Sequence, residues 1–116
     1  MTKLILATLI ASSVFAGNAA NGKKLYKKVN CTMCHKKDGM GKVKDSKKVK
    51  ITKGPRIAGL EKQYIIDQMN AIKTKKRKTK ATSMMMAKIK KLSASDIADI
   101  AAYVSSMGPK HKGMLQ

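Results

Sequence analysis

Cys31-Thr32-Met33-Cys34-His35 is a C-x-x-C-H motif, and its two cysteines are the only ones in the chain. The spacing is that of c-type haem attachment. Two thiols three positions apart share one helical turn, where each can add to a haem vinyl group, and the adjacent imidazole can bind the iron. Other readings of the pair have less behind them. A thiol redox couple acts by lowering the pKa of a cysteine at a helix start beside a βαβ unit, and nothing around Cys31 reads as a buried parallel strand. Structural zinc takes four ligands. Beyond Cys31, Cys34 and His35 the remaining histidine is the distant His111, in a Lys- and Gly-rich tail. A structural disulfide across so short a loop matches bridge geometry poorly.

The chain has 116 residues and reads as one domain. Met1 to Ala16 carries Lys3 and then an apolar run from Leu4 to Phe15, broken by Thr8, Ser12 and Ser13. That is the pattern of a secretory signal, with Val14-Phe15-Ala16 as recognition triplet and Ala20 as a second cleavage point. The run is short for a membrane span, and an uncleaved N-terminal anchor is the alternative. The expected organisation is a signal over 1–16 or to 20, a domain over 17–109 and a flexible tail over 110–116. With no Trp, three Tyr and one Phe, the chain's own side chains make a thin core. A buried haem would supply the missing apolar volume.

Formal net charge is +20, from 26 Lys and Arg against 6 Asp and Glu. Six of the eight residues from Lys73 to Lys80 are basic, and eight lysines fall between Lys36 and Lys53. Such a field speeds encounters with acidic partners and weakens with salt. Nucleic acid is not expected, because the export signal and the scattered Tyr26, Tyr64, Tyr103 and Phe15 do not suit it. Anionic lipid headgroups are a second surface the charge would suit.

The spacing predicts a short helix from Asn18 to Val29, capped by Asn18 or Asn21, with Gly22 one turn before Tyr26. Lys36 to Lys53 reads as an exposed loop. Leu60, Tyr64, Ile65, Met69 and Ile72 recur at helical spacing, and a basic loop follows from Lys75 to Lys80. Ser83 is a candidate cap for a short turn through Met84, Met85 and Met86. The closing helix is the clearest: Ser93 and Asp96 form a capping-box variant, Ile97, Ile100, Ala101 and Val104 follow at i, i+3, i+4 and i+7, and Gly108-Pro109 stops it. No alternating strand pattern competes. The expected class is all-α, four or so short helices around one covalent haem.

The second axial ligand decides what such a haem does. A thioether is soft and neutral, favours ferrous iron and suits an electron carrier. An empty or His-filled site would suit a small-ligand binding module. Core filling is the ordinary use of a methionine, but three together before a capped helix are poorly explained by packing alone.

In ordered combination, several motifs resemble the class I c-type cytochromes, the small soluble bacterial monohaem carriers, from Asn18 to Met107. They are Gly22-x-x-x-Tyr26, then Cys31-x-x-Cys34-His35, then Gly54-Pro55-Arg56-Ile57-Ala58-Gly59-Leu60, then the Met cluster, then Leu92-Ser93-x-x-Asp96-Ile97-x-x-Ile100-Ala101-x-Tyr103-Val104. The resemblance implies a cytochrome c fold with crossing first and last helices, Gly22 and Tyr26 meeting the last near Ala101, Ala102 and Tyr103. It implies haem c on Cys31 and Cys34, with iron bound by His35. It places the ligand methionine eight residues before the capping Ser93, at Met85, with Met84 and Met86 as alternatives. It gives Pro55 a carbonyl that accepts from His35 and so steadies the ring. Arg56 is a candidate propionate contact, and Lys36 and Lys37 stand where the family commonly has Gly, which bears on loop shape. The implied function is a periplasmic, non-enzymatic electron-transfer protein, monomeric, serving acidic redox partners such as a terminal oxidase or a peroxidase. A dedicated cytochrome subunit of a redox enzyme is the alternative.

Overall fold

The structure is a computed structural model that describes residues 17–42 and 54–108. The expected signal, the residues 43–53 of the first basic loop and the expected tail with Pro109 and His111 lie outside the described residues. Five helices follow in order: α1 (Ala19–Lys28), α2 (Cys31–His35), α3 (Lys62–Lys73), α4 (Thr82–Ile89) and α5 (Ala94–Ser105). The described residues contain no strand ladder.

Asn18, rather than Asn21, caps α1. Its extended backbone lets the side-chain oxygen accept the Asn21 backbone N–H at 3.0 Å. Gly22 then sets how closely α1 crosses α5: a methyl group built there would overlap the Asp99 carbonyl and lie 2.9 Å from Tyr103 Cβ. The crossing therefore centres on Asp99 and Tyr103, on the face of α5 turned from Ala101, which is fully buried in the core. Tyr26 and Tyr103 meet edge to face there, ring centroids 5.5 Å apart at 73°. The buried Asp99 carboxylate accepts from the Asn18 backbone N–H and from Asn21 Nδ2, each at 2.7 Å.

In α5 the Ser93 side chain accepts the Asp96 N–H at 3.0 Å and the Asp96 carboxylate accepts the Ser93 N–H at 3.1 Å, a complete capping box. Ile97, Ile100, Ala101 and Val104 are buried against Tyr26, Leu60, Ile65, Met69, Ile72, Ile89 and Leu92. α3 packs against α5, and α4 packs on α3 alone among the helices.

The methionine stretch differs from its expected form. It is a helix, α4, and Ser83 lies inside it, donating back to the Lys80 carbonyl at 2.9 Å. The start is braced instead by the pair Thr79 and Thr82: each backbone N–H donates to the other's hydroxyl, at 2.8 and 3.2 Å. Thr82 is buried, so this exchange satisfies donors that water cannot reach. At the far end the Lys73 ammonium donates to the Leu92 carbonyl, tying the end of α3 to the turn before α5.

Candidate functional site

The C-x-x-C-H motif is α2 itself. Asn30 enters it in the left-handed region, with φ 68°, and the Met33 N–H bonds the Asn30 carbonyl at 3.2 Å. One helical turn thus holds Cys31 and Cys34, both half-buried, on the side of His35, which is buried. Burial pushes the Cys31 thiol up to about 11. A site that penalises a thiolate suits an uncharged sulfur, as in a thioether.

Gly54 closes on this turn from the other side. Its φ is +78°, and a methyl there would overlap the Cys34 carbonyl. That approach brings Pro55 to His35, whose Nδ1 lies 2.8 Å from the Pro55 carbonyl oxygen. A carbonyl only accepts, so Nδ1 carries the proton and the Nε2 lone pair is left for a metal. Burial lowers the His35 pKa below its usual range, and the Pro55 bond opposes that shift without cancelling it. The imidazole is therefore neutral near pH 7.

His35, Cys31 and Cys34 open on a cavity of about 1160 Å³, counted out to its mouth. It is lined mainly by apolar side chains such as Ile57, Leu60, Ile65, Ile72, Ile89 and Val104. This is at the upper end of the usual size for ligand pockets. An apolar cleft with two thiols and one neutral imidazole fits a covalently held haem. Met84 and Met85 line it, whereas Met86 does not and packs against the core instead. Met84 is 43% exposed, and Met85 is half-buried against the core cluster.

Arg56 is not in the cavity wall, and its Nε donates to the Ala58 carbonyl at 3.4 Å. The basic side chains in the wall are Arg77 and Lys88, with Gln68 beside them. Arg77 Nη1 donates to Gln68 Oε1 at 3.0 Å, and its backbone N–H to the Ala71 carbonyl at 2.9 Å. Sequence reading treated Arg77 as one charge in a basic loop. The one available signal was that it is the sole arginine in that run of lysines, the residue type suited to planar carboxylate recognition.

Lys36 ends α2 at φ 63°, ψ 166°, a region that in practice only glycine occupies. The glycine common at this position in the resembling family is thus explained by backbone geometry. This chain keeps the geometry and changes the residue. The Lys36 carbonyl is fixed by the Tyr26 hydroxyl at 2.6 Å and by the Gly39 N–H at 3.2 Å.

Comparisons with known proteins agree with this architecture. The chain is 32% identical over 111 residues to cytochrome c4 of Pseudomonas aeruginosa, covering 91% of this chain and 49% of that protein. It thus spans about half the length of the curated relative it matches. The crystal structure of reduced cytochrome c4 from Pseudomonas stutzeri superposes with TM-score 0.62 at 24% identity, over 78% of this chain and 48% of that one, which bears on the fold alone. A thiosulfate dehydrogenase from Marichromatium purpuratum superposes with TM-score 0.60 at 26% identity, over 78% of this chain and 19% of that one. The family model described as Cytochrome c matches residues 19–108. The chain accordingly belongs to the cytochrome c family, as a class I c-type cytochrome whose cofactor is an iron-containing, covalently bound haem c and whose two cysteines are there to attach it.

Proposed function

We propose that the protein is a periplasmic carrier that passes single electrons between respiratory donors and acceptors, on a haem c joined to Cys31 and Cys34 and ligated by His35 and Met85. The observation that carries this is the pairing of His35, its Nδ1 proton held by Pro55 at 2.8 Å, with Met85 in the wall of the same apolar cavity. The haem supplies a one-electron change at iron. The residues of the chain supply the rest. Pro55 fixes the tautomer and plane of His35 and strengthens its donation. The Met85 thioether favours the reduced metal. Thr79, Thr82 and Lys73 hold α4 at both ends, so that Met85 is presented from a braced element. Ile57, Leu60, Ile72 and Val104 exclude water, which keeps the low dielectric that favours the less charged state. Arg77 and Gln68 supply the donors that suit propionate carboxylates, in preference to Arg56.

The described fold begins at Gly17. Its φ is +74°, and a methyl there would lie 3.0 Å from Ala102 Cβ. The Asn18 N–H is bonded to Asp99. Signal cleavage after Ala16 leaves these contacts intact, and cleavage after Ala20 would remove them, so the mature protein starts at Gly17. No described helix is long and apolar enough to cross a membrane. The uncompensated positive charge suits acidic partners such as a terminal oxidase or a peroxidase, and next an anionic membrane surface. A second reading, a haem subunit of a redox enzyme, is favoured by the likeness to the thiosulfate dehydrogenase.

Single Met84→Ala, Met85→Ala and Met86→Ala variants of the holoprotein test the ligation. The weak long-wavelength band of ferric methionine-ligated haem should vanish in Met85→Ala alone. Its survival there would overturn the assignment.

A further inference from the structure

Met33 and Met84 are the exposed large apolar side chains among the described residues, at 50% and 43%, and both line the mouth of the haem cavity. One comes from the haem-attaching turn α2 and the other from α4. An exposed apolar side chain standing alone needs no explanation, but two at the edge of one cleft are a patch. Around it stand exposed lysines: Lys36 and Lys37 directly after α2, and Lys88 in the cavity wall.

Lys36 is the informative one. It is two residues from Cys34, so its Cα lies within about 7.6 Å of the Cα of Cys34. It holds a backbone conformation natural only to glycine. A residue kept in such a conformation at a stability cost marks a functional demand on its side chain, because glycine would serve the fold better. The carboxylates here do not neutralise it. Asp38 accepts from the Met40 N–H, Asp67 from Gln63, Asp96 from the Ser93 N–H and Asp99 from Asn18 and Asn21.

We propose that Met33 and Met84 form the apolar centre, and Lys36 the principal charged contact, of the surface on which an acidic redox protein docks to exchange electrons at the Cys31–Cys34 edge. The inference rests on the carrier reading above and adds the residues and the chemistry of the partner. That partner presents carboxylates around a small apolar centre. The thioethers exclude water at the contact while Lys36 orients the encounter.

Gold electrodes coated with mixed monolayers stand in for such a partner, one bearing carboxylate and methyl termini and the other carboxylate and hydroxyl termini. Electron exchange of wild-type holoprotein should be faster on the first, and the ratio of the two rates is the readout for the apolar centre. Met33→Ser and Met84→Ser should each bring that ratio toward one. Lys36→Gln and Lys36→Gly should slow exchange on both surfaces about threefold at low ionic strength, whereas Lys23→Gln, two turns back along α1, should slow it less than about 1.5-fold. Lys36→Gly should also raise the folding equilibrium constant about tenfold, which Lys36→Gln should not. Equal rates for Lys36→Gln and Lys23→Gln, or an unchanged ratio in both methionine variants, would overturn the proposal while leaving the carrier reading intact. Absence of exchange by wild type on either surface would count against the carrier reading and the proposal together.

Discussion

Replacing Gly22 by Ala adds one methyl group at the tightest point of the helix crossing. In an isolated helix the change is favourable by about 1 kcal/mol, because alanine loses less backbone entropy than glycine. Here the new methyl would fall on the Asp99 carbonyl, 2.6 Å from its carbon and 2.9 Å from Tyr103 Cβ. Neither neighbour is the free end of a side chain, so α1 must move away from α5. Overpacking of this kind costs about 1–3 kcal/mol. The displacement also loosens the Tyr26–Tyr103 ring contact, worth about 1 kcal/mol. It lengthens the two bonds to the Asp99 carboxylate, each worth about 2 kcal/mol when well made. With the propensity gain set against these losses, Gly22→Ala should cost about 3–4 kcal/mol. Guanidinium unfolding of the holoprotein, followed by far-ultraviolet circular dichroism, gives the number. Gly22 is not in the cavity wall, so the haem absorption spectrum should not change. A loss below about 1 kcal/mol, or a gain, would show that the crossing is looser than these distances require.

The Tyr26 phenol lies above its ordinary pKa of about 10, chiefly through burial and further through the charges of Cys31, Tyr103 and Asp38. A group raised in the folded state stabilises fully below its unfolded pKa, so stability should fall as pH climbs above about 10, by up to about 1.4 kcal/mol per pH unit. In Tyr26→Phe that slope should disappear, at a cost near neutrality of about 1 kcal/mol for the lost bond to Lys36. Parallel denaturant midpoints for the two proteins across this range would exclude the assignment. Ser93→Ala should remove one arm of the capping box, cost about 1 kcal/mol and lower Tm by about 4–8 °C, and an unchanged melt would refute it. Asp99→Asn keeps the shape of the clasp to Asn18 and Asn21 but removes its charge, and should cost about 2 kcal/mol in the same unfolding assay. A cost below about 0.5 kcal/mol would mean that the carboxylate charge contributes nothing.

Much of this architecture is written locally. The capping box Ser93–Asp96 and the apolar period after it define α5, because both signals span fewer than about four turns and need no distant partner. The C-x-x-C-H turn is legible for the same reason. The site is less so. α4 was expected as a short turn capped by Ser83, because eight residues carry too little periodicity and the Thr79–Thr82 exchange depends on the burial of Thr82. Arg77 enters the cavity wall because Gln68, nine positions earlier on another helical face, receives its guanidinium. No local pattern encodes that direction. The crossing was expected close to Ala101, and the structure centres it on Asp99 and Tyr103, since Gly22 fixes a contact whose register only the assembled pair determines. At Lys36 the sequence showed an unusual residue, and only the backbone shows that it adopts the glycine conformation instead of reshaping the loop.

The clasp between Asp99 and the start of α1 spans 81 and 78 positions of sequence. Made from its N-terminus, the chain has no partner for Gly22 or Tyr26 until Asp99 and Tyr103 exist, and no closed core until Val104 does. Joining ends this far apart costs about 2 kcal/mol more loop entropy than a ten-residue closure. α1 and α2 are therefore held in an open state throughout synthesis. The last dozen residues of the domain act as a timer, and for as long as it runs Cys31 and Cys34 remain accessible to the machinery that attaches their cofactor.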